Sequence, residues 1–256
     1  MPDFTNRSGL TLAFDDSGPG DGTPSILLHG FASNRKEGWQ RTGWYAAFNQ
    51  RRQRMIALDH RGHGESAKPH DRAQYGRQDL ARDVLDLMDD LKIDYANLIG
   101  FSMGAHIALE AALIAPDRFD HLILAGIGSR MFEAPTGEGA MSAAMTAEDP
   151  QTISDPLLRS FRHFADEQGE DRLALAACAG ATRATMNAGD LQAVRARTLV
   201  VVGARDDLAG AAEPLAAAIS EARAVTLPAC DHFATITHGL FKGAAFDFLD
   251  GWFEEI

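Results

Sequence analysis

Cysteine is nearly missing, with only Cys178 and Cys230 in 256 residues. They form no CxxC pair and no metal-ligand spacing, which leaves no basis for a disulfide framework or a cysteine-held metal. Two buried free thiols and a cytoplasmic setting are the expectation. Positive charge is also scarce. Lys and Arg number 24 against 36 Asp and Glu, a net charge of −12, whereas nucleic acid or an anionic membrane calls for a basic face. The one basic cluster, Arg51-Arg52-Gln53-Arg54, is short and precedes a strand-like run, so it reads as a solvated loop. No run approaches the roughly 18 apolar residues of a membrane span. The opening MPDFTNRSGL lacks a basic segment followed by an apolar one, so no secretory signal is expected. Internal repeats and low-complexity tracts are missing too.

What is present is alternation. SILLHG (Ser25–Gly30), RMIALDH (Arg54–His60), ANLIGF (Ala96–Phe101), HLILAGI (His121–Ile127), RTLVVVGA (Arg197–Ala204) and AVTLPAC (Ala224–Cys230) are nearly continuous apolar runs. Runs of this kind suit parallel strands covered on both faces. Between them, Tyr75–Ile93 places Leu80, Val84, Leu87, Met88 and Leu91 at helical spacing. A second helix starts near Met103 and stops before Pro116, and GLFKGAAFDFLDGWF supplies the last. Strand alternating with helix predicts an α/β fold, a mostly parallel doubly wound sheet with right-handed crossovers.

One interval breaks this rhythm. Residues 129–194 contain no convincing buried strand and are rich in Ala and Met, with Phe132, Met141, Met145, Phe161 and Phe164 spread through helical or loop-like sequence. The interval leaves after one core strand and returns before another. It is therefore expected to be a helical cap inserted into a core formed by residues 1–128 and 195–256. Phe161 and Met145 are the expected substrate-binding residues of its underside.

The chemistry begins at Gly100-Phe101-Ser102-Met103-Gly104. A G-x-S-x-G match alone is weak, but here a strand precedes it and a helix follows it, the setting of a nucleophile elbow. The glycines allow a sharp turn, and the helix points its free N–H groups and positive dipole end at the serine. A serine hydroxyl needs a base to take its proton. In this architecture the order is Ser, then Asp or Glu, then His, which leaves His232 and His238. His232 is favoured, because it lies in a loop just past the last strand, whereas His238 is expected inside the final helix. His106 is expected to pack on the helix after the elbow, and His121 and His163 to lie at the surface or core edge. Cys230 lacks the helix N-terminus that would lower its pKa, so it carries little weight as a nucleophile. The orienting acid is Asp206 or Asp207, with no physical tie-break between them. The backbone N–H groups of Phe31 and Met103 are candidates for an oxyanion hole, where losing one donor costs about 3–4 kcal/mol of transition-state stabilisation.

Five pieces fall in one order along the chain: His29-Gly30-Phe31, DHRGHGES (Asp59–Ser66), the Ser102 elbow, Gly203-Ala204-Arg205-Asp206, and His232. In these the sequence resembles the α/β-hydrolase fold superfamily over essentially its whole length. The resemblance implies Ser102 as nucleophile, His232 as base and Asp206 as orienting acid. It makes His60, Arg61 and His63 structural members of a tight turn, and it matches the interval after Ser129 to the family's cap position. Haloalkane dehalogenases and epoxide hydrolases carry aspartate at the elbow, so serine sets them aside. Serine members include carboxylesterases, lipases, carbon–carbon bond hydrolases of aromatic degradation and cofactor-free perhydrolases. No metal or organic cofactor is implied. The expected activity is hydrolysis of a small acyl ester through an acyl-enzyme. The alternatives are carbon–carbon bond hydrolysis, perhydrolysis and, outside catalysis, a ligand receptor that retains the triad.

Overall fold

The apolar runs do become strands. Those of His121–Ile127 and Ala224–Cys230 start two residues before the run, and most strands end before their run does. In the computed structural model, which describes residues 2–133, 139–181 and 186–252, two antiparallel strands precede them, β1 (Asp3–Thr5) and β2 (Thr11–Ser17). The runs then give β3 (Ser25–Leu28), β4 (Met55–Leu58), β5 (Ala96–Phe101), β6 (Phe119–Ala125), β7 (Arg197–Gly203) and β8 (Ala222–Leu227). The sheet order is β1-β2-β4-β3-β5-β6-β7-β8. Only the pairings of β2 are antiparallel. From β4 to β8 all neighbours run parallel.

Both faces of the inner strands are covered, which explains their unbroken apolar runs. In the edge strand β8 only Leu227 is buried, so that run lacks the expected cover on both faces. The helices are α1 (Trp44–Gln50), α2 (Arg77–Asp90), α3 (Met103–Ile114), α4 (Ala140–Thr146), α5 (Pro156–Gln168), α6 (Arg172–Ala179), α7 (Glu213–Ala218), the single turn α8 (His232–Thr235) and α9 (Gly239–Leu249). Ile26, Leu28, Ile56, Leu98, Leu124 and Val200 pack with Leu80, Val84, Ile107 and Leu215 of α2, α3 and α7. The alternate residues Leu27, Ala57, Ile99, Ile123 and Val201 pack with Trp44, Phe48, Phe241 and Phe246 of α1 and α9. Period-two alternation therefore survives, with both sets of side chains apolar.

Strand order reverses at β3, whose parallel neighbours are β4 on one side and β5 on the other. The loops leaving β3 and β5 at their carboxyl ends consequently diverge and leave a crevice, the place where open α/β sheets bind ligands. Helix α3 closes tightly on that crevice. A Cβ on Gly104 would run into the main-chain carbonyls of Leu28 and His29, and one on Gly100 into the backbone of Gly104 and Ala105.

Between β6 and β7 the described residues are helical, comprising α4, α5, α6 and short 3₁₀ turns. Their ends are marked locally. Asp155 caps α5 ahead of Pro156, Gly169 ends it in the left-handed region, and Asp171 caps α6.

Of the local expectations, that for His238 needs correction. The Arg51–Arg54 stretch is the expected loop, with Arg51 and Arg52 exposed. Arg51 pairs with Asp250 and lies over the Phe246 ring at 4.6 Å, and Arg54 pairs with Asp16 at 2.8 Å. His238 precedes the last helix as its N-cap, and its Nδ1 accepts the Leu240 N–H at 3.2 Å. β1 and β2 were not anticipated, although Leu12-Ala13-Phe14 of β2 form a short buried apolar run. Asp15 and Asp16 of β2 find their partners, Arg35, Tyr45 and Arg54, only in the folded chain.

Candidate active site

Ser102 stands where β5 stops and α3 begins, with φ 54° and ψ −115°. A non-glycine residue rarely adopts this conformation, and its surroundings must hold it there. The Ser102 N–H donates to the Ala125 carbonyl of β6 at 2.8 Å, and the Ser102 carbonyl accepts the Ala105 N–H at 3.0 Å. The residue is thus clamped from the sheet and from the helix, with its side chain directed into the crevice.

His232 reaches this serine across 130 residues of sequence, with Nε2 at 3.0 Å from Ser102 Oγ. Its other ring nitrogen, Nδ1, lies 2.8 Å from Asp206 Oδ2. A carboxylate only accepts, so Nδ1 carries the proton and Nε2 offers a lone pair to the serine O–H. The other Asp206 oxygen accepts the N–H groups of Leu208 (3.1 Å) and Ala209 (2.9 Å). Asp206 is buried and Asp207 is exposed. Of the two candidate acids, Asp206 is the one brought to the imidazole. Side chains of adjacent residues in this loop point apart, and the bonds to Leu208 and Ala209 fix which of them faces inward.

The acid and histidine loops are seated on one another. The Ala204 N–H donates to the Leu227 carbonyl and the Arg205 N–H to the Cys230 carbonyl, both at 2.8 Å. A Cβ at Gly203 would strike the Cys230 carbonyl. Asp231 caps the turn that carries His232 by accepting the Ala234 N–H at 2.9 Å. Cys230 itself is buried with Leu227 and Ile236. Cys178 is buried as well, its Sγ 3.9 Å from Met103 Sδ.

Met103 opens α3, so no earlier turn of the helix takes its N–H. Among the described residues neither its N–H nor that of Phe31 has a main-chain partner. These are the two predicted oxyanion donors, one from each loop of the crevice. The turn before Phe31 is set by His29, whose Nε2 accepts the His60 N–H at 3.2 Å. His29 Nδ1–H therefore donates to the Gly30 carbonyl at 2.8 Å. The His29 ring lies 4.6 Å from His60 and 5.3 Å from His63. Burial pushes the His29 pKa down to about 4 and that of His63 to about 3, and lowers that of His60 well below its usual value. All three are neutral near pH 7. Arg61 turns away and forms a buried bidentate pair with Asp83 (2.7 and 2.6 Å).

The residues expected to face substrate separate. The Phe161 ring stands 6.0 Å from Phe31 and 5.3 Å from Phe233, and Phe233 is 5.7 Å from His232. Met145 is placed differently from the expectation. It is wholly buried among Ala32, Phe161, Ala165, Leu175 and Ala176, and backs Phe161 without presenting surface of its own. Phe233 was not anticipated, although it follows His232 directly in sequence. It remains 46% exposed at the rim of the site. Phe101, 5.1 Å from the His232 ring, was also missed. A Cβ on Gly126 would crowd both of these rings. Among the described residues no group of His, Cys, Asp or Glu is arranged to hold a metal ion.

A family model for the alpha/beta hydrolase fold matches residues 24–174, more than half of the chain. The chain belongs to the α/β-hydrolase fold family. It is 32% identical over 249 residues to the dihydrolipoyllysine-residue acetyltransferase component of an acetoin cleaving system from Pseudomonas putida. That match takes in 90% of this chain but 64% of the relative, so the chain spans somewhat under two thirds of that protein. The crystal structure of a hydrolase from Pseudomonas aeruginosa PA01 matches with a TM-score of 0.81 at 26% identity, covering 97% of both chains. An enol-lactonase from Burkholderia xenovorans LB400 matches with a TM-score of 0.79 at 24% identity, over 99% of this chain and 100% of that one, a likeness of fold. No helix among the described residues is long and apolar enough to cross a membrane.

Proposed function

We propose that the protein is a serine hydrolase that cleaves a small acyl ester through an acyl-enzyme. The observation that carries this reading is the unbroken chain Asp206–His232–Ser102, at 2.8 and 3.0 Å, ending on a serine in a strained elbow. Ser102 Oγ attacks the ester carbonyl carbon as His232 Nε2 takes its proton, and the carbonyl oxygen becomes an oxyanion. The N–H groups of Phe31 and Met103 receive that charge, aided by the positive end of α3. The imidazolium, stabilised by Asp206, returns the proton to the departing alcohol oxygen and leaves an ester on Ser102. Water then attacks this ester with His232 again as base, releasing the acid and restoring the hydroxyl.

Phe161, Phe31 and Phe233 supply an apolar wall, which suits an uncharged acyl group. Residues 129–194 act as the cap above it and residues 1–128 and 195–256 as the catalytic core. The net charge of −12 favours a small-molecule partner over nucleic acid or membrane, which call for a basic face. The buried thiols Cys178 and Cys230 suit a cytoplasmic protein. A fluorophosphonate probe tests the reading. Its mass should appear on Ser102 of the intact protein and disappear in Ser102→Ala, together with turnover of p-nitrophenyl esters. Undiminished labelling of Ser102→Ala overturns it.

A further inference from the structure

The turn that offers the Phe31 N–H lies outside the regular strands and helices, between β3 and Lys36, so side-chain contacts must hold it. Ala32, next in sequence, takes a left-handed conformation (φ 58°) and is fully buried in an apolar cluster with Met145, Phe161, Ala165, Leu175 and Ala176. Four of those five partners belong to α5 or α6, and Met145 belongs to α4, so the turn is packed into the segment between β6 and β7. A polar anchor lies beside this contact. Asn34 Oδ1 accepts the N–H groups of Lys36 (3.1 Å) and Glu37 (3.0 Å). That commits the amide oxygen and directs its NH₂ outward, where Nδ2 donates to Glu170 Oε1 at 2.9 Å. Glu170 Oε2 accepts the Gly64 N–H, also at 2.9 Å.

Glu170 occupies the turn between α5 and α6 and is only 8% exposed. Its carboxylate thus joins three chain segments: its own turn, the loop after β3, and the Asp59–Ser66 turn after β4. Gly64 approaches so closely that a Cβ there would overlap the Asp59 carboxylate. The next residue, Asp171, caps α6 and also bonds His70 at 2.9 Å. Hydrogen bonds to a carboxylate are stronger than neutral ones, and removing the acceptor strands two donors in a largely buried place.

We propose that Glu170 is a positioning residue, whose carboxylate couples the segment above the site to the loop carrying Phe31, so that the roof and one oxyanion donor are set as a single unit. The proposal rests on the reading of the Phe31 N–H as an oxyanion donor. It explains why so polar a side chain is spent on a turn remote in sequence from every residue of the Ser102–His232–Asp206 chain.

The donor pattern suggests a swap. Glu170→Gln places an NH₂ against the Asn34 NH₂ or the Gly64 N–H, and Asn34→Asp places two carboxylates together. In the double variant, Asn34→Asp with Glu170→Gln, the carboxylate now on the β3 loop accepts from the amide NH₂ now on the α5–α6 turn. The oxygen of that amide accepts from the Gly64 N–H, so the pattern is restored in reverse. Each single variant should lower kcat on a p-nitrophenyl ester about 10-fold to 100-fold, as a donor shifted by a fraction of an ångström would. KM should stay within about threefold, and the double variant should recover most of kcat. Amide hydrogen exchange over residues 31–34 should quicken in the singles and slow again in the double. Glu170→Asp, which withdraws the carboxylate by one methylene and keeps the charge, replaces Glu170→Gln if that variant does not fold. Wild-type kcat and exchange in the singles, or a double variant no better than either, overturns the proposal. The exchange arm needs no turnover. If wild type neither hydrolyses esters nor labels at Ser102, the hydrolase reading fails, and exchange over 31–34 still decides whether Glu170 holds the loop.

Discussion

Histidine is used in two opposite ways around one crevice. His232, on the turn after β8, has a carboxylate on one ring nitrogen and a hydroxyl on the other. His29, His60 and His63, from the loops after β3 and β4, are completely buried and lean on one another. Two of their ring nitrogens meet main-chain carbonyls, those of Gly30 and Arg61. Neither ring nitrogen of His60 has a hydrogen-bond partner among the described residues. An imidazole shuttles protons when a carboxylate stabilises its cation and an exchangeable proton faces it. Burial without such a partner makes it a polar packing unit that stays neutral. The side chain is the same, and its surroundings decide the role.

The sharpest break of this contrast is His232→Ala, which should lower kcat by about 10⁶-fold, as loss of the base does where the three groups act together. Single-turnover kinetics on an activated ester measures it, with circular dichroism confirming the fold. The acid comes next. Asp206→Asn should cost about 10³–10⁴-fold in kcat because the imidazole tautomer is no longer fixed, while exposed Asp207→Asn should stay within about tenfold. A crippled Asp207→Asn with an active Asp206→Asn reverses the assignment.

The buried histidines act on stability instead. In the unfolded chain they bind protons below about pH 6.5, whereas in the fold His29 and His63 wait until about pH 4 and 3. The unfolded state therefore gains more protons as pH falls, and folding stability drops across that window. Each of the two should contribute a loss of about 1.4 kcal/mol per pH unit between its two pKa values. Urea unfolding from pH 7 to pH 4.5 measures the slope, and His63→Gln should flatten it by about that amount. An unchanged slope refutes the neutral, buried state of His63. The smallest effect belongs to the roof. Phe161→Ala should alter relative rates among acyl lengths by about 5-fold to 10-fold, since one side-chain contact in an apolar pocket is worth at least about 1 kcal/mol. Met145→Ala should chiefly cost stability, about 2–5 kcal/mol, because Met145 is buried behind that ring. If Met145→Ala changes chain-length preference more than Phe161→Ala does, their places are exchanged.

Most of the sheet was legible because its signal is local. An apolar run such as Leu98–Gly100 marks a strand buried on both faces, and serine between glycines at its end marks a sharp turn into a helix. Strand β2 was missed although Leu12-Ala13-Phe14 is apolar, because its second half is polar. Asp15 and Asp16 look like loop residues until Arg35 and Arg54 arrive from elsewhere in the chain. Ser102, Asp206 and His232 all lay just past the ends of recognisable runs. Phe233 could have been suspected from its place after His232. Glu170 could not, because a glutamate between two helices looks like any solvated turn.

By itself the sequence determined the alternation of strand and helix, the elbow at Ser102, and the order of serine, acid and histidine. Backbone periodicity and steric tolerance are properties of neighbouring residues, so they can be read from neighbouring letters. Tertiary structure alone decided that Met145 stands behind Phe161 and that Glu170 reaches Asn34 across 136 residues, and it brought Asp206, the acid the family resemblance implied, to within 2.8 Å of His232. These depend on where a side chain ends up in space and how much water remains around it, which packing settles after the local elements have formed.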